Sequence, residues 1–254
     1  MPLNPNDIIY FNRRIADNPI FWARFGGRPS LQGARVLDVG CGFGNLCIDV
    51  AEAGASEVVG LDINENVIKF AQENLRKNYR HLQSIITFSQ QDLQVFSGGD
   101  FDIIVSKDAF EHIIDLESMI AAMKDRLKSG GRIYTGFGPL YNSPYGDHGT
   151  VRLPVPFSKK YFPWSHKLLG LEKSLRRIDK RWKGIPVYTL ADVGLNGYGF
   201  ADYMRIFEQS GLRIVYLEVN ASDKKLSKLF SLFRRIPFLT ELFTHNIYCI
   251  LEKQ

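Results

Sequence analysis

The sequence predicts an α/β fold, a mostly parallel sheet with helices on both faces, from three observations. Short apolar runs alternate with helix-like stretches between residues 36 and 137. Residues 36–45, Val-Leu-Asp-Val-Gly-Cys-Gly-Phe-Gly-Asn, read as a buried strand that breaks into a glycine-rich turn and then a helix. Two carboxylates, Asp38 and Asp62, stand near the ends of the first two strands, where open α/β sheets receive their ligands.

Taken in order, residues 5–25 form an aromatic, partly helical lead-in (Tyr10, Phe11, Phe21, Trp22) that could lie over the ligand cleft. The alternating unit follows as strand 36–39, helix 44–53, strand 57–62, helix 64–78, strand 85–88, strand 101–105, helix 115–128 and strand 132–137. Gly130-Gly131 reads as the stop of the helix at 115–128, as glycine past a helix C-terminus does. After Gly138-Pro139 the rhythm lapses for about fifty residues, then resumes with a helix near 199–210 closed by Gly211, a strand at 212–219 and a last strand at 246–251. The expectation is one domain over 1–254 with a lid insert at about 139–195 and a second, basic insert at about 221–244. No repeat, low-complexity tract or second domain is read.

The turn suits a nucleoside ligand without phosphate. Gly40, Gly42 and Gly44 let bare main chain approach a ligand, while Asp38 would repel a pyrophosphate and welcome an ammonium. A dinucleotide fingerprint spaces its glycines G-x-G-x-x-G, and position 45 is Asn. Asp62, 18 residues beyond Gly44, is placed to accept from both ribose hydroxyls; its other reading is a cap for the helix starting near Asn64. Asp92 could accept an adenine amino group, or be only a loop residue.

These motifs, the glycine turn, Asp62, Asp92 and the strand entering Ser106-Lys107, resemble the ordered motifs of class I S-adenosylmethionine-dependent methyltransferases of the small-molecule type. The resemblance covers about residues 33–138 well and the last 55 more loosely. It implies a Rossmann-like seven-stranded sheet with an antiparallel C-terminal edge hairpin, and S-adenosylmethionine as cofactor. It further implies that Asp38 with Gly40, Cys41 and Gly42 holds the methionine part, Asp62 with Ile63 the ribose, and Asp92 with Leu93 the adenine. Lys107 departs from the apolar or small residue often found there.

Methyl transfer needs chiefly alignment of an activated methyl group with a nucleophile; an oxygen nucleophile of high pKa also needs a base working near neutrality. Among five histidines, His148 is the first candidate, in the loop Tyr141-Asn142-Ser143-Pro144-Tyr145-Gly146-Asp147-His148 that leaves the fifth strand. Asp147 is an alternative base or metal ligand, and the loop's structural reading is a turn that fixes the lid. His112 follows the fourth strand, where Glu111-His112 could instead brace the next helix. His81 and His245 sit away from the expected rim, and His166 in the basic insert could face an acidic acceptor. No metal is expected.

Charge is unevenly distributed. Residues 152–183 carry ten Lys/Arg against Glu172 and Asp179, and residues 221–244 carry five against Asp223 and Glu241. Those segments hold +8 and +3 of a whole-chain +5, leaving −6 on the rest. Leu168, Leu171, Leu175, Ile178 and Trp182 repeat at helical spacing, as do Leu226, Leu229, Phe230 and Phe233. Basic amphipathic helices with aromatic residues suit anionic membrane surfaces; the competing reading is a lid packed on the domain. The basic residues lack the aromatic interleaving of a nucleic-acid platform, so nucleic acid is not the expected partner. Three cysteines without metal-ligand spacing, and a start lacking a signal-peptide design, predict a cytoplasmic protein. The expected activity is methyl transfer to a small or lipid-linked metabolite, at oxygen before carbon or nitrogen. The alternatives are an inactive cofactor-binding partner subunit and a membrane-surface adaptor.

Overall fold

A computed structural model describes residues 3–148, 163–181, 186–221 and 225–254. Two lead-in helices come first, α1 (Pro5–Ala16) and α2 (Asn18–Ala23), followed by β1 (Arg35–Val39), α3 (Asn45–Glu52), β2 (Glu57–Asp62), α4 (Glu65–Asn78), β3 (Ile86–Gln90), β4 (Phe101–Lys107), α5 (Leu116–Arg126) and β5 (Leu127–Phe137). Beyond the fifth strand lie α6 (Ser165–Leu169), α7 (Leu171–Arg181), α8 (Phe200–Gln209), β6 (Arg213–Val219), α9 (Lys225–Phe233), α10 (Thr240–Phe243) and β7 (Ile247–Glu252).

The seven strands lie in the order β3-β2-β1-β4-β5-β7-β6. β1 to β5 pair in parallel, whereas β7 runs antiparallel to both β5 and β6. The Rossmann-like expectation, with its antiparallel C-terminal pair, therefore holds. The chain reverses its winding between β1 and β4, so their C-terminal ends diverge and open a crevice. The central strands are covered on both faces and are almost wholly apolar: Val36, Leu37, Val58, Ile104 and Val105 are fully buried. One apolar cluster packs α1 to α4 on one face, and a second packs α5 and α8 on the other.

Two sequence expectations fail here. Gly130 and Gly131 do not stop the preceding helix: α5 ends at Arg126, and both glycines lie within β5. The pairing of β4 with β5 shifts register between Phe101 and Ile103, so the glycines serve an irregular strand entry. Leu168 does not share one helix with Leu171 and Leu175, because Gly170 at φ 75° separates α6 from α7. Leu168 and Leu171 face solvent while Leu175 is buried. Ile178 and Trp182 belong to a stretch whose side chains lie outside the described residues, as does the side chain of Leu226.

In the second insert Phe230 is buried, edge-on to Phe243 at 5.3 Å, with Trp164 from the first insert at 6.3 Å. Phe233 also meets Phe243, at 5.1 Å. One face of α9 thus packs on α10 and on Trp164, joining the segments after β5 and after β6. Leu229, Leu232, Ile236 and Phe238 stay exposed beside it.

Candidate active site

A cleft of about 900 Å³ lies over the C-terminal ends of β1 and β4. It is bordered by every residue expected to hold the cofactor: Asp38, Gly40, Cys41, Gly42, Asp62, Ile63, Asp92 and Leu93. His112 and His148 border it as well.

The glycine turn is tied to β2 by its own amides. Gly40 and Cys41 both donate to the Leu61 carbonyl, at 2.9 and 3.0 Å, and Gly42 donates to Asp62 Oδ2 at 2.9 Å. Those N–H groups are therefore engaged, and the turn meets a ligand with carbonyl oxygens and bare Cα. That surface suits an ammonium better than an anion. Gly44, at φ 78°, caps α3, and a Cβ there would stand 2.5 Å from the Phe88 ring. Only glycine fits both the left-handed backbone and that contact.

Asp62 accepts at its other oxygen from the Asn64 amide, 2.9 Å away. It does not cap α4, because Asn64 does so through Asn66. Its carboxylate is half-buried on the rim with its geometry fixed by two amides. Asp92 accepts from Gln94 N at 2.8 Å and so also organises its own turn.

Asp38 is 2% exposed. Burial pushes its carboxyl up to about 7, opposed by the Cys47 thiol that donates to Oδ2 at 3.2 Å, while Asp62 pushes further upward. Its neighbour on β4, Lys107, is pushed down to about 8, first by burial and then by Arg14. The Lys107 ammonium donates to Asn18 Oδ1 at 2.9 Å, and Asn18 holds Asn45 at the start of α3. Arg14 on α1 pairs with Asp108, and Tyr10 packs on Phe43 at 5.1 Å. The lead-in helix therefore closes over the cleft, as expected. The part of Arg14 was not legible in the sequence, since only the fold brings it to Asp108.

At the far end, His112 and His148 stack edge to face with ring centroids 5.1 Å apart. His112 Nδ1 donates to the Gly194 carbonyl, and the His148 ring bonds the Pro139 carbonyl. Burial, then His112, lowers the pKa of His148, so its imidazole is neutral and able to accept a proton. Glu111 is 3% exposed and is pushed up to about 8 by burial. Its Oε1 accepts from Gly138 N at 3.4 Å, and Oε2 has no hydrogen-bond partner among the described residues.

The structure corrects two expectations for this end. Asp147 does not border the cleft; it is 5% exposed and lies 3.5 Å from His166 Nδ1. The buried Asp147 carboxylate faces His166 and not the cleft that His148 borders. His166, 1% exposed, faces Asp147 and donates to the Tyr141 carbonyl at 2.6 Å, so it does not face an acceptor. Glu111, treated in the sequence as a possible brace, is instead the buried wall of the cleft.

Residues 30–137 match a family model described as a methyltransferase domain. A ubiquinone biosynthesis O-methyltransferase of Thiobacillus denitrificans is 32% identical over 117 residues, covering 46% of this chain and 50% of the relative. The chain spans about half the length of the curated relatives it matches. An S-adenosylmethionine dependent methyltransferase from Mesorhizobium loti superposes with a TM-score of 0.59 at 20% identity, over 94% of this chain and 98% of that one. The magnesium protoporphyrin IX methyltransferase of Synechocystis, solved with bound SAH, gives 0.55 at 21% identity over 100% and 89%. The fold is that of the class I S-adenosylmethionine-dependent methyltransferases, and residues 30–137 match the methyltransferase-domain family within it.

Proposed function

We propose that this chain binds S-adenosylmethionine and transfers its methyl group to an oxygen of a small or lipid-linked metabolite. One observation carries the reading: a single cleft has Asp38, Asp62 and Asp92 at one end and two imidazoles at the other. Asp38 would meet the ammonium of the methionine part, which returns the buried carboxyl to its charged form. Asp62 would accept from the ribose hydroxyls and Asp92 from the adenine. Hydrogen bonds to charged groups contribute roughly 1.5–3 kcal/mol each. When bound, the cofactor supplies a methyl group already activated by its sulfonium.

The remaining work falls to the chain itself. α1 and the loop after β5 shield the cleft from water and hold the acceptor in line with the methyl group. His148, neutral and facing the cleft, would take the acceptor's hydroxyl proton on its free ring nitrogen. The name of the Thiobacillus relative supports oxygen as the acceptor atom. The apolar and basic character of the inserts supports an acceptor with hydrophobic surface.

The deciding experiment pairs calorimetry with turnover. Titration with S-adenosylmethionine and its demethylated product should show binding of both. Incubation with isotopically labelled methyl donor and fractionated metabolites should label an acceptor. Binding without transfer to any fraction would favour the inactive partner subunit, and absence of binding would end the reading.

A further inference from the structure

We propose that Glu111, His112 and His148 form a binding site for one divalent first-row transition cation at the acceptor end of the cleft. Each residue offers one ligand atom, and the three atoms lie within 4.8 Å of one another. Donors placed about 2.0–2.2 Å from a shared ion stand roughly 3–4 Å apart, so the site needs a closure of about an ångström.

Three independent features mark it as a ligand set and not a chance cluster. The Glu111 carboxylate is buried with Oε2 unpartnered among the described residues; a polar oxygen removed from water without a partner is costly, and a cation is the partner it lacks. The carbonyl of Gly194 can only accept, so His112 Nδ1 carries the proton and Nε2 keeps its lone pair. The Pro139 carbonyl likewise takes one ring N–H of His148 and leaves the other nitrogen as a donor pair. Metal-ligating histidines are commonly anchored through such second hydrogen bonds, which fix tautomer and ring direction. Here the anchors come from two different loops, those following β5 and preceding α8.

The donor set states the class of ion. Two imidazoles and one carboxylate suit zinc, manganese, cobalt, nickel or ferrous iron; calcium and magnesium prefer oxygen donors. Three protein ligands leave coordination positions open toward the cleft, so a hydroxyl or carboxylate oxygen of an acceptor could complete the shell. Cation binding does not rest on the methyl-transfer reading; with an ion bound, the free nitrogen of His148 is a ligand and the ion, in its place, would acidify an acceptor hydroxyl.

The test uses the full chain, freed of metal by dialysis against chelator, without methyl donor or acceptor. Zn²⁺ is titrated by calorimetry and Co²⁺ by visible absorption. One equivalent should bind, with a Co²⁺ spectrum lacking thiolate charge-transfer bands. Glu111→Gln and His148→Asn should each weaken binding at least tenfold, whereas His81→Asn, at an exposed pair with Glu52, should not alter it. Circular dichroism checks folding, and His148→Asn keeps the test open should Glu111→Gln fail to fold. No binding, a thiolate spectrum, or unchanged affinity in His148→Asn would overturn the proposal. Because the readout omits the methyl donor, failure here leaves the methyl-transfer reading standing, and the reverse also holds.

Discussion

The two ends of the cleft are built on different physical terms. At the β1–β2 end each polar group is held by its neighbours in sequence or on the adjacent strand: Asp62 by Gly42 and Asn64, Asp92 by Gln94, the turn amides by Leu61. At the β4–β5 end the groups come from separate loops, and one of them, Glu111 Oε2, is left without a hydrogen-bond partner among the described residues. The first end is rigid and preorganised for one ligand. The second is completed by whatever binds there, which is how one fold can keep its cofactor and change its acceptor.

The sharpest way to break that contrast is at His148. His148→Ala should lower turnover by about 10²-fold or more if it removes a proton-accepting or acceptor-positioning group, with cofactor affinity unchanged by calorimetry. A fall in cofactor affinity instead would mean that the two ends are not separate. At the other end, Asp62→Ala should weaken cofactor binding at least tenfold, since it removes hydrogen bonds contributing roughly 1.5–3 kcal/mol each. The same substitution should leave the circular dichroism spectrum intact.

Protonation gives a third, graded test. Asp38 is pushed up to about 7 in the free protein, so below that pH a ligand ammonium must first displace a proton. Cofactor affinity should fall by up to tenfold for each pH unit below about 7 and level off above it. The ligand-free stability has the opposite sign. A carboxyl whose folded pKa lies above its unfolded one binds more protons when folded, so its contribution declines as pH rises from about 4 to 7 and is flat beyond. Thermal melts with and without cofactor across that window separate the two trends.

The smallest expected effect concerns the inserts. Leu232 and Phe238 are 58% and 79% exposed near Arg235, and no helix among the described residues is long and apolar enough to cross a membrane. Charge reversal at Lys228 and Arg235 should reduce sedimentation with anionic vesicles by about 1 kcal/mol per residue. Unchanged pelleting would assign the exposed apolar face to something other than a lipid surface.

What the sequence determined by itself was local. The apolar runs specify buried parallel strands because a strand covered on both faces has no polar side. The glycine turn specifies a phosphate-free ligand because three glycines and a carboxylate act within ten residues. Gly130-Gly131 and the Leu168–Leu175 stripe misled for the same reason, since a glycine pair or a periodic spacing does not say whether the chain bends between its members. Only the tertiary structure decided the acceptor end. Glu111 and His148 are far apart in sequence and meet because β4 and β5 are neighbours in the sheet, while Asp147 lies beside His166. Contacts between loops of different strands depend on sheet order and loop path, and neither is written in residue spacing.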